Sequence, residues 1–223
     1  IITPLKDRFG SQIRTHYPRE TRTEMVIMHQ EARPASIGDV RVTMPDFMAE
    51  IIAEFSQQAR ASNHVNQRSG VSVRLSVSNY ESVCANAVRR ALRLGERDVS
   101  PRVSDIFEAL PASSSGKIEI ESLTEGKEEQ IMEDIIKHSV QTVYRRRSLG
   151  EKVRGLIEAI ENGHVVHTGS DVASTDFGSL LIEVPELRTA ILELTGGQES
   201  PDLVASAVEF LLEGLWVTKR INK

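Results

Sequence analysis

Apolar residues return every three to four positions through most of this chain, the spacing that lays one greasy stripe along a helix. The longest such stripe holds Val73, Val77, Tyr80, Val83, Cys84, Ala87, Val88, Ala91 and Leu92. It follows a polar loop at 63–70 and stops at Gly95, a usual terminator position. A second stripe holds Phe47, Met48, Ile51, Ile52 and Phe55, with Pro45 suited to a first turn and an end near Ala61. A helix is expected over 21–33, capped by Thr21 or Thr23 and halted at Arg33-Pro34. A shorter one is expected over Arg102 to Leu110, with Ser100 as its cap. Alternation suggests short extended pieces at Ile13 to Tyr17 and at Val40 to Thr43.

Beyond residue 110 the pattern changes. Pro111-Ala112-Ser113-Ser114-Ser115-Gly116 has linker composition. Lys117 to Ser122 alternates like a strand. Helices are then expected at Lys127 to Arg147, at Leu149 to Ile160, at Asp176 to Thr195 with a break at Pro185, and at Leu203 to Trp216 behind Ser200-Pro201. The fold class is therefore mainly α: a four-helix domain over 20–110, a linker at 111–116, and a helical C-terminal extension over 117–223 with one or two short strands.

Composition narrows the function only slightly. The 223 residues are long enough for a sizeable core, and 39% hydrophobic with 26% charged is ordinary for a soluble globular chain. A net charge of −5 argues against a dedicated nucleic-acid binder. A single cysteine rules out a disulfide within the chain and fits a reducing cytoplasm. No apolar run reaches the length of a membrane span, and no signal-peptide pattern is present. The chain opens on Ile1 rather than methionine, so it is expected to be a piece of a longer protein.

Few residues carry chemistry on their own. Arg74 stands at the mouth of the longest helix, where a helix N-terminus already favours anions and a guanidinium adds a charged fork suited to phosphate oxygens. A solvated first-turn arginine is the alternative. Arg145-Arg146-Arg147 compensates the dipole at a helix C-terminus or, alternatively, marks a phosphate or partner site. His164 and His167 would point to opposite faces of a strand and lack a third ligand, so no metal is expected there. Cys84 lies on an apolar stripe and reads as a small core residue. Gly116-Lys117 mimics part of a phosphate-binding loop. However, Pro111 occupies the place of its first glycine and Ile118 that of its Ser/Thr.

Three motifs stand in order: DRFG at 7–10, SVRLS at 72–76 and RALRLGERDVSPRVSDI at 90–106. Together they resemble the C-terminal part of an AAA+ ATPase of the magnesium-chelatase I-subunit and MoxR-like group, over about residues 1–110. The resemblance implies that residues 1–19 end the ATPase core. Within them Arg8 would be an arginine finger acting on the neighbouring subunit's nucleotide, and Asp7 and Arg14 would lie near the subunit contact. It implies that residues 20–110 are the helical lid, with Arg74 as the sensor-2 arginine and Val99, Pro101 and Asp105 closing the motif. ATP and Mg2+ are implied for the intact protein and neither for this chain alone, because the phosphate loop and the Mg2+-binding acidic strand would precede Ile1. A homo-oligomeric, six-membered ring is implied. So are a partner bearing a von Willebrand A domain, a cytoplasmic location, and remodelling of a partner protein or metal insertion as the work done. Membrane and nucleic acid are not expected partners.

A stand-alone helical module for protein or nucleic-acid binding is the competing reading, with Arg89-Arg90 and Arg145 to Arg147 as its basic patches. A self-contained enzyme ranks last, since no nucleophile triad, carboxylate pair or metal cluster has a convincing spacing.

Overall fold

The computed structural model describes residues 8–11, 13–35, 37–66, 70–119 and 127–222. Among these residues the chain is mainly helical. The helices are α1 (Thr21–Glu31), α2 (Asp46–Ala61), α3 (Val73–Leu94), α4 (Val103–Ser114), α5 (Glu128–Arg146), α6 (Arg154–Glu161), α7 (Gly178–Glu183), α8 (Leu187–Leu194) and α9 (Pro201–Val217). Two short strands, β1 (Arg41–Val42) and β2 (Asp98–Val99), pair in parallel with Arg41 opposite Asp98 and Val42 opposite Val99. No helix among the described residues is long and apolar enough to cross a membrane.

The long stripes are buried as their periodicity predicts, except Leu92 at the end of α3, which is 53% exposed. Phe47, Met48, Ile51, Ile52 and Phe55 of α2 are fully buried, as are Val83, Cys84 and Ala87 of α3. Gly95 ends α3 at φ +74°, a left-handed conformation that a side chain would strain. Pro185 separates α7 from α8, and a 3-10 turn over Ser174–Phe177 leads into α7.

Several expectations are corrected. Residues 13–17 form no strand, and Ile13 is 89% exposed, so its alternation has no sheet to face. The N-cap of α1 is Glu20, and the Thr21 hydroxyl donates to Glu54 instead of capping. The N-cap of α4 is Arg102. Its backbone N–H donates to the Asp105 carboxylate at 2.8 Å, while Ser100 donates from Oγ to Asp202 at 2.7 Å. The expected linker is helix as far as Ser114, with Pro111 inside it. Pro111 removes one hydrogen bond from α4, but Leu110 and Ser114 are fully buried and both Ser113 and Ser114 donate from Oγ to Asn79 Oδ1 on α3. Packing therefore holds a turn that local propensity would release. Only Lys117 to Glu119 of the expected 117–122 strand are described, and they make a single bridge between Ser115 and Ile118.

One apolar core runs from Met28 on α1 to Leu215 on α9, without a break at 111–116. α5 packs across α2, and α9 packs across α5. The stacked rings of Phe47 and Phe210, 4.8 Å apart, join α2 to α9 at the centre. Gly214 sits inside α9 because the Tyr144 ring occupies the place of its side chain: a Cβ there would lie 2.1 Å from Tyr144 Cδ2. Gly214→Ala is therefore expected to destabilise the chain by about 1–3 kcal/mol through overpacking, despite alanine's better helix propensity. Urea unfolding measures it. A Gly214→Ala chain as stable as the parent would mean that the two helices can part cheaply.

Candidate functional site

Two regions carry the arginines singled out from sequence. The first is the N-terminal segment. Arg8, Phe9 and Arg14 are exposed there, Phe9 by 62%, and no carboxylate among the described residues pairs with Arg8 or Arg14. Asp7 lies outside the described residues. The second is the mouth of α3. Ser72 is its N-cap, and its Oγ accepts from the Arg74 N–H at 3.3 Å. The Arg74 side chain is exposed and finds no carboxylate among the described residues. A helix N-terminus plus an uncommitted guanidinium can take an anion.

No hydrogen bond or ion pair joins Arg8 or Arg14 to Arg74 among the described residues. What connects the Tyr17–Pro18 stretch to the mouth of α3 is a buried polar centre. Glu24 of α1 is fully buried. Its Oε2 accepts from Arg60 Nη1 at 2.6 Å and from Gln57 Nε2 at 2.9 Å, and its Oε1 accepts from Arg60 Nη2 at 2.6 Å and from Ser76 Oγ. Four donors thus satisfy one carboxylate, which is what makes burying it tolerable. Arg60 Nε donates to the Val71 carbonyl at 2.8 Å, just before the α3 cap, and its guanidinium lies 5.0 Å from the Tyr17 ring centroid. Gln57 also donates to the Pro18 carbonyl at 3.1 Å. Gly70, at φ +67°, lets the loop pass close to Tyr17, whose hydroxyl would sit 2.7 Å from a Cβ there.

A second buried centre uses the residues of the 90–106 motif. Arg90 is 2% exposed, and its Nη2 donates to Asp105 at 3.0 Å and to the Ser100 carbonyl at 2.9 Å. Its Nη1 lies 3.5 Å from Glu96. Arg102 is fully buried, donates to the Val172 carbonyl and to Ser174 Oγ at 2.8 Å each, and lies 3.7 Å from Glu209 of α9. Burial lowers its pKa from the ordinary arginine value, partly offset by Glu209, Glu96 and Asp105. Ser206 of α9 donates to the Pro101 carbonyl at 2.5 Å. Pro101 therefore ties the four-helix part to α9, while Asp105 bonds to Asn86, Arg90 and Arg102 within the four-helix part and Val99 packs on Ala87 and Ala91 of α3.

The remaining candidates resolve into structure. Arg146 pairs with Glu50 at 3.2 Å and with Glu54 at 2.9 Å, and Arg147 pairs with Glu50, so two of the three arginines tie α5 to α2 rather than ride a solvated face. Arg89 pairs with Glu108 at 3.1 Å. His164 pairs with Glu183 across to α7. Among the described residues, no three His, Cys, Asp or Glu side chains gather as a metal cage. Burial, then the charges of Asp105 and Glu81, push the Cys84 thiol up to about 12, which leaves it unreactive near neutrality. A cavity of about 600 Å³ between α4, α9 and the 160–168 loop, lined by Phe107, Val165, Leu212 and Trp216, includes none of Arg8, Arg14 and Arg74.

Both centres left a sequence signal. Ser76 lies between Val73 and Tyr80 at stripe spacing, Arg90 lies three after Ala87, and Arg60 lies four after the buried Ser56. Polar residues at apolar-stripe positions are the mark of a buried network. Comparison with protein-family models, with curated proteins and with solved structures finds no match.

Proposed function

We propose that the chain is the lid and oligomerisation region of a ring-forming AAA+ ATPase, which couples ATP hydrolysis to remodelling of a partner protein or to metal insertion. The observation that carries this reading is Arg74, an exposed guanidinium with no carboxylate partner among the described residues, set at the capped mouth of a 22-residue helix. α1 to α4 serve as the four-helix lid, and α5 to α9 as the extension packed on it. Arg74 takes a phosphate oxygen of the nucleotide held by its own subunit. Arg8 reaches the neighbour's nucleotide, with Asp7 and Arg14 beside that contact. ATP and Mg2+ belong to the intact protein, whose upstream core supplies the phosphate loop and the Mg2+ ligands. A six-membered ring in the cytoplasm, working with a partner bearing a von Willebrand A domain, completes the proposal.

The competing nucleic-acid reading needs free basic patches. Arg90, Arg146 and Arg147 are instead spent on internal carboxylates, and Arg89 on Glu108. In the protein that carries the upstream core, Arg74→Ala is expected to lower ATP turnover and weaken nucleotide binding by about 10–100-fold, the worth of one charge-assisted hydrogen bond. Isothermal titration with a non-hydrolysed ATP analogue and a steady-state phosphate assay measure the two effects. Turnover and affinity both at the parent's level would overturn the sensor assignment.

A further inference from the structure

We infer that the Glu24 centre is a positioning latch: it fixes the mouth of α3, and with it Arg74, against the N-terminal segment at Tyr17 and Pro18. The structural half of this inference stands on the contacts alone, and its consequence for turnover rests on the ATPase reading.

Three separate stretches of chain converge on one face of the last two turns of α2. Ser56, Gln57 and Arg60 supply that face. The N-terminal segment arrives through Pro18, whose carbonyl takes the Gln57 amide, and through Tyr17, whose ring lies against Arg60. α1 arrives through Glu24. The mouth of α3 arrives through the Val71 carbonyl on Arg60 Nε and through Ser76, which donates to Glu24 while lying 2.8 Å from Ser56 Oγ. Each of the three nitrogens of the Arg60 guanidinium donates, and Glu24 accepts four hydrogen bonds. A planar fork held through all three nitrogens is fixed in orientation, which a lysine's single ammonium could not reproduce. Because Glu24 is fully buried, losing any one donor raises the cost of keeping the charge where it is. A disturbance at one arm is therefore felt at the other.

Stability alone does not require this arrangement. An apolar cluster at the same place would hold the helices equally well, since buried ion pairs contribute little net stability. What the pair adds is a fixed relation between two segments, which also approach each other at Gly70 and Tyr17. Misplacement of a catalytic group by about 1 Å can cost a hundredfold in rate, so a fixed setting for an arginine that acts on nucleotide has value.

The test perturbs one arm and reads the other. Ser76→Ala removes a hydroxyl that touches Glu24 and Ser56 but nothing in residues 13–18. Backbone 15N order parameters of this chain are expected to fall in residues 13–17, from the rigid range near 0.85 to below about 0.6, with α9 unchanged. Gln57→Leu, which touches Pro18 and Glu24 but no residue of the α3 mouth, is expected to loosen residues 71–74 in the same way. Effects confined to the mutated arm, or spread evenly to α9, would show packing without coupling and overturn the inference. In the protein with its upstream core, Gln57→Leu is expected to lower turnover about tenfold and to add little further loss to Arg74→Ala, because it acts through Arg74. Additive losses would sink the positioning role. If Arg74→Ala itself leaves turnover untouched, the ATPase reading fails, while the order parameters still decide the latch.

Discussion

Asp105→Ala is expected to destabilise the chain by about 3–5 kcal/mol, measured as a lowered midpoint in urea, because it strands a buried guanidinium. Asp105 is fully buried and Arg90 is 2% exposed. The carboxylate accepts from Arg90 Nη2 at 3.0 Å, from the Arg102 backbone N–H at 2.8 Å and from Asn86 Nδ2 at 3.0 Å. Alanine removes the counter-ion and the α4 cap in one step, and leaves Arg90 with the Ser100 carbonyl and a 3.5 Å approach to Glu96. A loss of that size is a large share of the 5–15 kcal/mol that holds an ordinary domain together. Asp105→Asn keeps the shape and the cap and is expected to cost less. Replacing the pair together, by Arg90→Met with Asp105→Leu, is expected to recover part of the loss, since no guanidinium is then stranded, while the α4 cap stays missing and Glu96 loses its approach to Arg90. If Asp105→Ala costs under about 1 kcal/mol, water reaches Arg90 and the network is not closed.

The same residues show what a sequence can and cannot disclose. The stripes of α2 and α3 were legible because their large apolar residues recur at helical spacing, although α2 is buried nearly all round over 47–56, and the Gly95 stop because only glycine enters the left-handed region freely. The 111–116 segment was misread because its composition is that of a linker. Its fate was decided by Leu110 and Ser114 burying against α3, which no local rule contains. Arg146 and Arg147 look like dipole compensation in one dimension, and only the crossing of α5 over α2 brings Glu50 and Glu54 to them. Arg74 was legible as a site candidate because its setting is local, a cap and a helix start. The Glu24 centre left only polar residues at stripe positions as a hint, since Glu24 and Ser76 lie 52 residues apart in the chain and meet only when the segments pack.

Arg8→Ala separates the proposed trans role from every structural role in this chain. Arg8 is exposed and has no ion pair among the described residues, so its removal is expected to leave folding stability within about 0.5 kcal/mol of the parent. In the protein with its upstream core, the proposal gives it a charge that meets the neighbour's nucleotide as phosphoryl transfer proceeds. An arginine finger is worth about 10³–10⁵ in turnover, because charge spreads over the transferred group only in the transition state. Turnover is therefore expected to fall at least 10³-fold with nucleotide affinity nearly unchanged, the signature of an interaction absent from the ground state. Arg74→Ala differs, since a residue that holds the bound nucleotide weakens binding as well. Mixing supplies the decisive control. An Arg8→Ala subunit keeps a sound nucleotide site of its own, so it regains activity beside a neighbour that supplies Arg8 but cannot bind ATP. Recovery in mixed rings places Arg8 across a subunit boundary. Wild-type turnover by Arg8→Ala alone would remove the finger and, with it, the main reason to place residues 8–14 at a subunit contact.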